Sequence, residues 1–439
     1  MAHTETVHLT EERYTMTSKT RNILFALIGI GLILTIIGIF QVKGAGAEHA
    51  SEHAALVSNG HEVGHDAGHH GPTWMTRVWA NLLLNSWYTF IIAVCGVFFV
   101  AVNYAANAGW ATGLKRIPEA FGAYLPIGGI LLLLVVVFGG KDLYHWMQDG
   151  IMDPEASNYD ELLASKGWFL NKGFMFVVMP ILIGVIYFFH RLFRKFSWNE
   201  DKEGGVKWFN KSVAFSGAFI FIFAFGFSII AWLLIMSIDS HWYSTIYAIY
   251  NFAVSFVCGM TVITMITLFL KNQGYLSFIN KEHIHDLGKF MFAFTIFWTY
   301  IWTSQYLLIW YANIPEESKY FFERLDGNNG MFQFQFWANL FLCFAFPFLG
   351  LMTRNAKRNA TWLYIMGAII LIGHWNDLYL LIMPGTAGEL SGIGILEIGM
   401  PIFFAGLFLF IVLKSFEKAP TFPLKHPYLE EAVHHDVGP

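Results

Sequence analysis

His374 and Asp377 stand three residues apart in the stretch IGHWNDLYLLIMP, residues 372–384, inside an otherwise apolar run at 361–383. At about 1.5 Å rise per residue that run can cross a hydrocarbon core of roughly 30 Å as one helix. A spacing of three puts both side chains on one helix face, and Asn376 and Tyr379 add hydrogen-bonding groups nearby. An ionised Asp at mid-membrane costs about 2.5 to 3.5 kcal/mol on insertion scales, so such a residue ordinarily faces a bundle interior or water and serves transport or proton relay. The plainer alternative is a neutral acid in a helix–helix hydrogen bond. An acid and an imidazole on one face also form a pair able to pass a proton.

Glu397 is the other carboxylate at membrane depth, about 6 Å inside its own span, against about 9 Å for Asp377. The two depths match, so one pocket can hold both. Asp239 and His241 in IMSIDSHWYST, with Lys141, Asp142 and His145 after the third span, are candidates to carry that pocket to one membrane face. Toward the other face, Thr261, Thr264, Thr295, Thr299, Tyr300 and Thr303 offer a line of hydroxyls, although threonine in membrane helices also serves packing. His190, His283 and His285 stand near that second face.

The elements that must position these groups are membrane helices. Of 439 residues, 56% are hydrophobic and only 13% charged, with a net charge of −4. This is the composition of an all-α polytopic membrane protein, and no basic patch points to nucleic acid. Ten apolar segments are long enough to span: 22–42, 80–104, 120–139, 169–190, 212–237, 243–270, 290–312, 331–353, 361–383 and 393–414. The chain therefore divides into an N-terminal segment 1–21, a ten-helix membrane domain 22–414 and a tail 415–439. With both termini cytoplasmic, most of the 27 Lys and Arg residues fall on the inner side, as the positive-inside rule requires. The polar first 20 residues show no signal peptide, so the first helix is expected to stay.

An outer loop at 43–75 carries His49, His53, His61, His65, His69 and His70. Its glycines oppose a stable helix, so it reads as a pH-sensitive loop rather than a metal site. Cys95, Cys258 and Cys343 lie in apolar runs without ligand spacing, and His374 is the only His deep in a span. No tightly bound haem, iron–sulfur cluster or other metal is expected in this chain.

The run EHIHDLGKFMFAFTIFWTYIWTSQYLLIWYANIPEES (282–318), with IMSIDSHWYSTIYAIYNF before it and RNAKRNATWLYIMGAIILIGHWNDLYLLIMP after it, resembles the ActF subunits of bacterial alternative complex III, the quinol:cytochrome c oxidoreductase, within the NrfD/PsrC-like family. The resemblance covers most of the chain from about residue 20. It implies two four-helix bundles, spans two to five and six to nine, flanked by the first and last helices. It implies an ActC-like membrane subunit, an iron–sulfur subunit and multihaem cytochromes as partners in the bacterial inner membrane, with a terminal oxidase as a further candidate. Menaquinol or another quinol would be oxidised in that assembly. Leu233 and Leu234 occupy the place where that family carries Asp-Trp, which weakens the transfer of a site acid to the fifth span. Two roles follow for His374 and Asp377, with Glu397: a proton path in a subunit carrying no redox centre, or a quinol site in which His374 or His241 binds the quinol oxygen and Asp377 takes its proton. A purely structural anchor is the third reading.

Overall fold

A computed structural model describes residues 11–58, 72–327 and 330–436, with side chains described outside 46–58. No strand occurs among the described residues. Ten long helices follow one another: α1 (Ser18–Ser58), α2 (Trp74–Ala105), α3 (Leu125–Leu143), α4 (Lys172–Glu203), α5 (Lys207–Leu234), α6 (Tyr247–Asn272), α7 (Lys281–Ala312), α8 (Gln333–Leu351), α9 (Ala360–Ile382) and α10 (Ile395–Phe416). Their starts are set by local chemistry. The side chains of Thr73, Asn171, Asn280 and Asn359 accept from the otherwise unpaired first amides of α2, α4, α7 and α9.

Among the described residues, nine of these helices are long and apolar enough to cross a bilayer. The chain is thus a multi-pass α-helical membrane protein. The remaining helix, α7, is long enough at 32 residues, but Trp298, Tyr300, Trp302, Thr303, Gln305 and Tyr306 dilute its apolar character. A second difference from the sequence reading lies in α1, which continues past residue 42 to Ser58. The Ala-rich stretch AEHASEHAAL has enough helix propensity to extend the turn beyond the glycines. The side chains of His49 and His53, and all of His61, His65, His69 and His70, lie outside the described residues.

Helices α2 to α5 pack as one four-helix group and α6 to α9 as a second, joined where α2 meets α6 and α9. Helix α6 is the centre: 89% of its apolar window is buried, against 17% for α1. Outward side chains such as Phe138, Phe221, Leu308 and Leu349 form the apolar surface that lipid covers. Helix α1 lies along α10, and glycines on both allow the backbones to touch. A Cβ on Gly31 would stand 2.3 Å from the Phe403 amide nitrogen, and one on Gly399 2.6 Å from that of Thr35.

The two ends of the described chain, around Glu12 and Thr421, meet on one face of the bundle, the terminal face. Thr421 donates its amide to the Glu12 carbonyl at 2.8 Å and its hydroxyl to the Glu12 carboxylate at 2.8 Å. Leu424 donates to Asp201 at 2.9 Å, and His426 packs edge-on against Phe209. Beneath this tail lie two buried ion pairs, Lys115 to Glu200 at 3.0 Å and Arg116 to Glu119 at 2.8 Å. Burial alone would raise the Glu119 carboxyl, but Arg116 and Lys115 overrule it and hold it below the usual carboxylate range.

Candidate functional site

Asp377 lies near the end of α9 away from the terminal face and is 1% exposed. Three helices aim neutral donors at it. Tyr250, in the first turn of α6, donates its hydroxyl to Oδ1 in a short bond. Asn339 of α8 donates Nδ2 to the same oxygen at 2.7 Å, and Trp298 of α7 donates its indole N–H to Oδ2 at 3.0 Å. The acid therefore has acceptor sites filled from α6, α7 and α8, which is how a carboxylate is tolerated where no water reaches. Cys343 Sγ donates to Asn339 Oδ1 at 3.1 Å and fixes which end of that amide faces Asp377.

His374 completes the cluster from one turn earlier on α9. Its Nδ1 lies 3.8 Å from Asp377 Oδ2, and its ring meets Trp298 edge-on at 5.1 Å between centroids. The ring is fully buried, and among the described residues neither nitrogen has a hydrogen-bond partner. A buried imidazole without hydrogen bonds is costly, and such exceptions ask for a functional or solvent explanation. Asn376 leaves the cluster and donates to the Gln335 carbonyl at 3.0 Å, while the Tyr379 hydroxyl accepts from the Gly392 amide at 3.0 Å.

A π turn at Phe341–Ala345 interrupts α8 directly after Asn339. Such turns are rare and concentrate at functional sites. Here the turn carries Cys343, and it packs against Gly373, where a Cβ would stand 2.9 Å from Cys343 Sγ.

Glu397 belongs to a different network. Arg77 of α2 grips it with two bonds, Nε to Oε1 at 2.8 Å and Nη2 to Oε2 at 2.9 Å. Asn81 adds a bond at 2.9 Å and the Gly394 amide one at 2.8 Å. Arg77 also donates to the carbonyls of Leu390 and Gly392, so the group clasps the start of α10 to α2. No side chain is shared between the partners of Glu397 and those of Asp377. Equal depth along a helix does not fix direction around it, so matching depths alone do not bring the two acids into one pocket.

Asp239 pairs with Arg324 at 2.9 Å, and Arg324, on the helix Pro315–Leu325, also donates to the carbonyls of Leu380 at 2.9 Å and Tyr320 at 2.7 Å. This buried arginine ties Asp239 to the last turn of α9, one turn beyond Asp377. His241 is about half exposed and bound to Asp160 at 2.6 Å. Lys141 pairs with Asp149 at 2.6 Å at the surface, and Asp142 is exposed. Thr264 is buried and donates to the Met260 carbonyl at 2.7 Å, and Thr299 donates to Thr295 at 2.8 Å, so both hydroxyls bond back within their own helices. Tyr300 is 66% exposed on the outer face of α7, turned away from Asp377.

Tyr250, Trp298, Asn339, Arg77 and Arg324 escaped the sequence reading. Asn339 carried the best signal, an amide at the head of the apolar run LFLCFAFPFLGLM. Arg324 sits in an amphipathic stretch, PEESKYFFERL, that looks like a solvated surface helix.

A buried acid held by donors from three neighbouring helices, with an imidazole beside it, defines the chain as a polytopic membrane protein with an ionisable centre inside its second bundle. Set against known proteins, the sequence matches no family model and no curated relative.

Proposed function

We propose that the chain is an integral membrane subunit of a respiratory quinol-oxidising oxidoreductase and that Asp377 and His374 form a proton-transfer site within it. The observation that carries this reading is the imidazole of His374, fully buried, free of hydrogen bonds and 3.8 Å from a carboxylate. A residue kept only for packing would be apolar at this depth, because both side chains cost free energy there. Asp377 is the proton acceptor in this reading, and Tyr250, Asn339 and Trp298 orient it. Arg324 and Asp239 lead from Leu380 toward the face opposite the termini. The motif resemblance at 235–252, 282–318 and 354–384 supplies the respiratory setting: an ActC-like membrane partner, an iron–sulfur subunit, multihaem cytochromes and a bacterial inner membrane with both termini cytoplasmic.

A membrane companion is also supported by α7. Ile296, Tyr300, Thr303, Leu307 and Trp310 form one exposed stripe along it. The Tyr300 hydroxyl sits mid-helix, where lipid tails offer no hydrogen-bond partner. A neighbouring helix would supply one.

The test is Asp377→Asn, which preserves volume and much of the hydrogen bonding. In sealed vesicles holding the assembled complex, the variant is expected to keep electron transfer but to move fewer protons per electron. An unchanged stoichiometry in a fully assembled variant overturns the proton-transfer assignment. Loss of quinol turnover itself would instead favour a quinol site at His374 and Asp377.

A further inference from the structure

A cavity of about 540 Å³ opens on the terminal face between the last turns of α4, the end of α10 and the turn before α3. Five cations line it: Arg191, Arg194, Lys195 and Lys202 from α4, and Lys418 beyond α10. Among the described residues no carboxylate lines it. Among the described residues none of the five is ion-paired, because the acids of α4 point elsewhere. Glu200 is taken by Lys115 at 3.0 Å, and Asp201 by Arg116 and the Leu424 amide. The cations and acids of one helical stretch have thus separated onto two faces. The acids serve the fold, and the cations are left facing an open space.

The geometry points to this cavity as a binding site for the phosphodiester head group of an anionic phospholipid. Arg194 is already held in place there, donating to the Ser415 hydroxyl at 2.5 Å and carbonyl at 2.6 Å and lying over the Trp198 ring at 5.2 Å. Both bonds go to neutral acceptors, so the guanidinium is anchored without a direct ion pair. Clustered cations around one space attract a phosphate strongly, and basic pockets between membrane helices at the headgroup level suit anionic lipids. The surroundings select a lipid over a free anion. Phe188, 56% exposed, lines the cavity, and the apolar surface continues along the bilayer through Ile181 on α4 and Ile130 on α3, 57% and 58% exposed. Helices α3 and α4 touch here at Gly129 and Ile183, making a continuous bed for acyl chains. Trp198 lines the same cavity, and indoles commonly anchor at the membrane interface.

The full chain, in its assembly, is to be delipidated in zwitterionic detergent and offered equal amounts of phosphatidylglycerol and phosphatidylethanolamine of matched acyl length. Native mass spectrometry reads the retained lipid. The expected result is retention of phosphatidylglycerol over phosphatidylethanolamine by about tenfold or more, lost in Arg191→Gln/Lys195→Gln/Lys418→Gln and kept in the control Lys207→Gln/Lys211→Gln on the same face. Lys195→Gln alone is expected to lower the preference by about fivefold, which keeps the test valid if the triple variant fails to fold. Equal retention of the two lipids by the unaltered chain, or an undiminished preference in a folded triple variant, overturns the proposal. So does millimolar inorganic phosphate raising the melting temperature of the delipidated protein as much as phosphatidylglycerol does, since that outcome identifies a free-anion site.

Discussion

His374 Nδ1 and Asp377 Oδ2 face each other at 3.8 Å, too far for a hydrogen bond and close enough for one to form through a small side-chain movement. The side chains that bond the acid, Tyr250, Asn339 and Trp298, are neutral donors, so among the described residues the imidazole is the one basic side chain beside it.

Tyr250→Phe should test the cage without touching either member of the pair. It removes the phenolic donor from Asp377 Oδ1 and leaves those of Asn339 and Trp298. A hydrogen bond to a charged acceptor contributes about 1.5 to 3 kcal/mol, and a loss of that size in reversible unfolding in detergent is expected. A change below about 0.5 kcal/mol would mean that Tyr250 does not serve the acid as donor.

Glu397→Gln should behave differently from Asp377→Asn. Breaking a buried ion pair from one side costs about 3 to 5 kcal/mol, because Arg77 is left uncompensated. The expected outcome is a loosened α10 and reduced yield, with an unchanged proton-to-electron ratio in whatever assembles. Replacing both partners, Arg77→Met with Glu397→Met, should recover most of the yield. A proton deficit in well-assembled Glu397→Gln would return this residue to the proton path.

Gly31→Val should separate α1 from α10, because the added Cβ would fall 2.3 Å from backbone at Phe403. Overpacking of this kind costs about 1 to 3 kcal/mol. Hydrogen exchange is expected to accelerate in α1 and α10 while α6 stays protected. Gly29→Val, at a position with open space around it, is the matched control and should leave exchange unchanged.

The docking of the tail should weaken in acid. His426 is lowered to about 2, first by burial and then by Lys115 and Arg116, while Glu200, 4.0 Å from its Nε2, is already engaged by Lys115. The native imidazole stays neutral, and the released one takes a proton below about pH 6.5. The folded state therefore binds fewer protons, so its stability is full above about pH 6.5 and falls as pH drops below it, by at most about 1.4 kcal/mol per pH unit. Limited proteolysis of the 417–436 segment should speed up between pH 6.5 and 5, and His426→Gln should flatten that dependence.

The helical spans and the Asp377–His374 pair could be read from the chain because each is a local conflict: a run of apolar residues states its environment, and a charge inside the run contradicts it. Partners could not be read the same way. Tyr250, Trp298 and Asn339 come from three other helices, and each looks ordinary in its own segment. Glu397 announced itself as an intramembrane acid, yet its meaning depends on Arg77, 320 positions earlier. Tyr300 and the Trp-rich middle of α7 resemble a polar lining in sequence, and only the packing of α7 against α6 and α8 shows which of them face outward.

The π turn at Phe341–Ala345 has a bearing on how α8 tolerates change. It stores one residue more than a regular helix needs, so the segments before and after it are out of phase by about 100°. Deleting a single residue from that turn would give a smoother helix, yet it would rotate Asn339 away from Asp377 while leaving residues 346–351 in register with α9. A shortening of the chain that improves the regularity of α8 is thus expected to empty one donor position beside the acid.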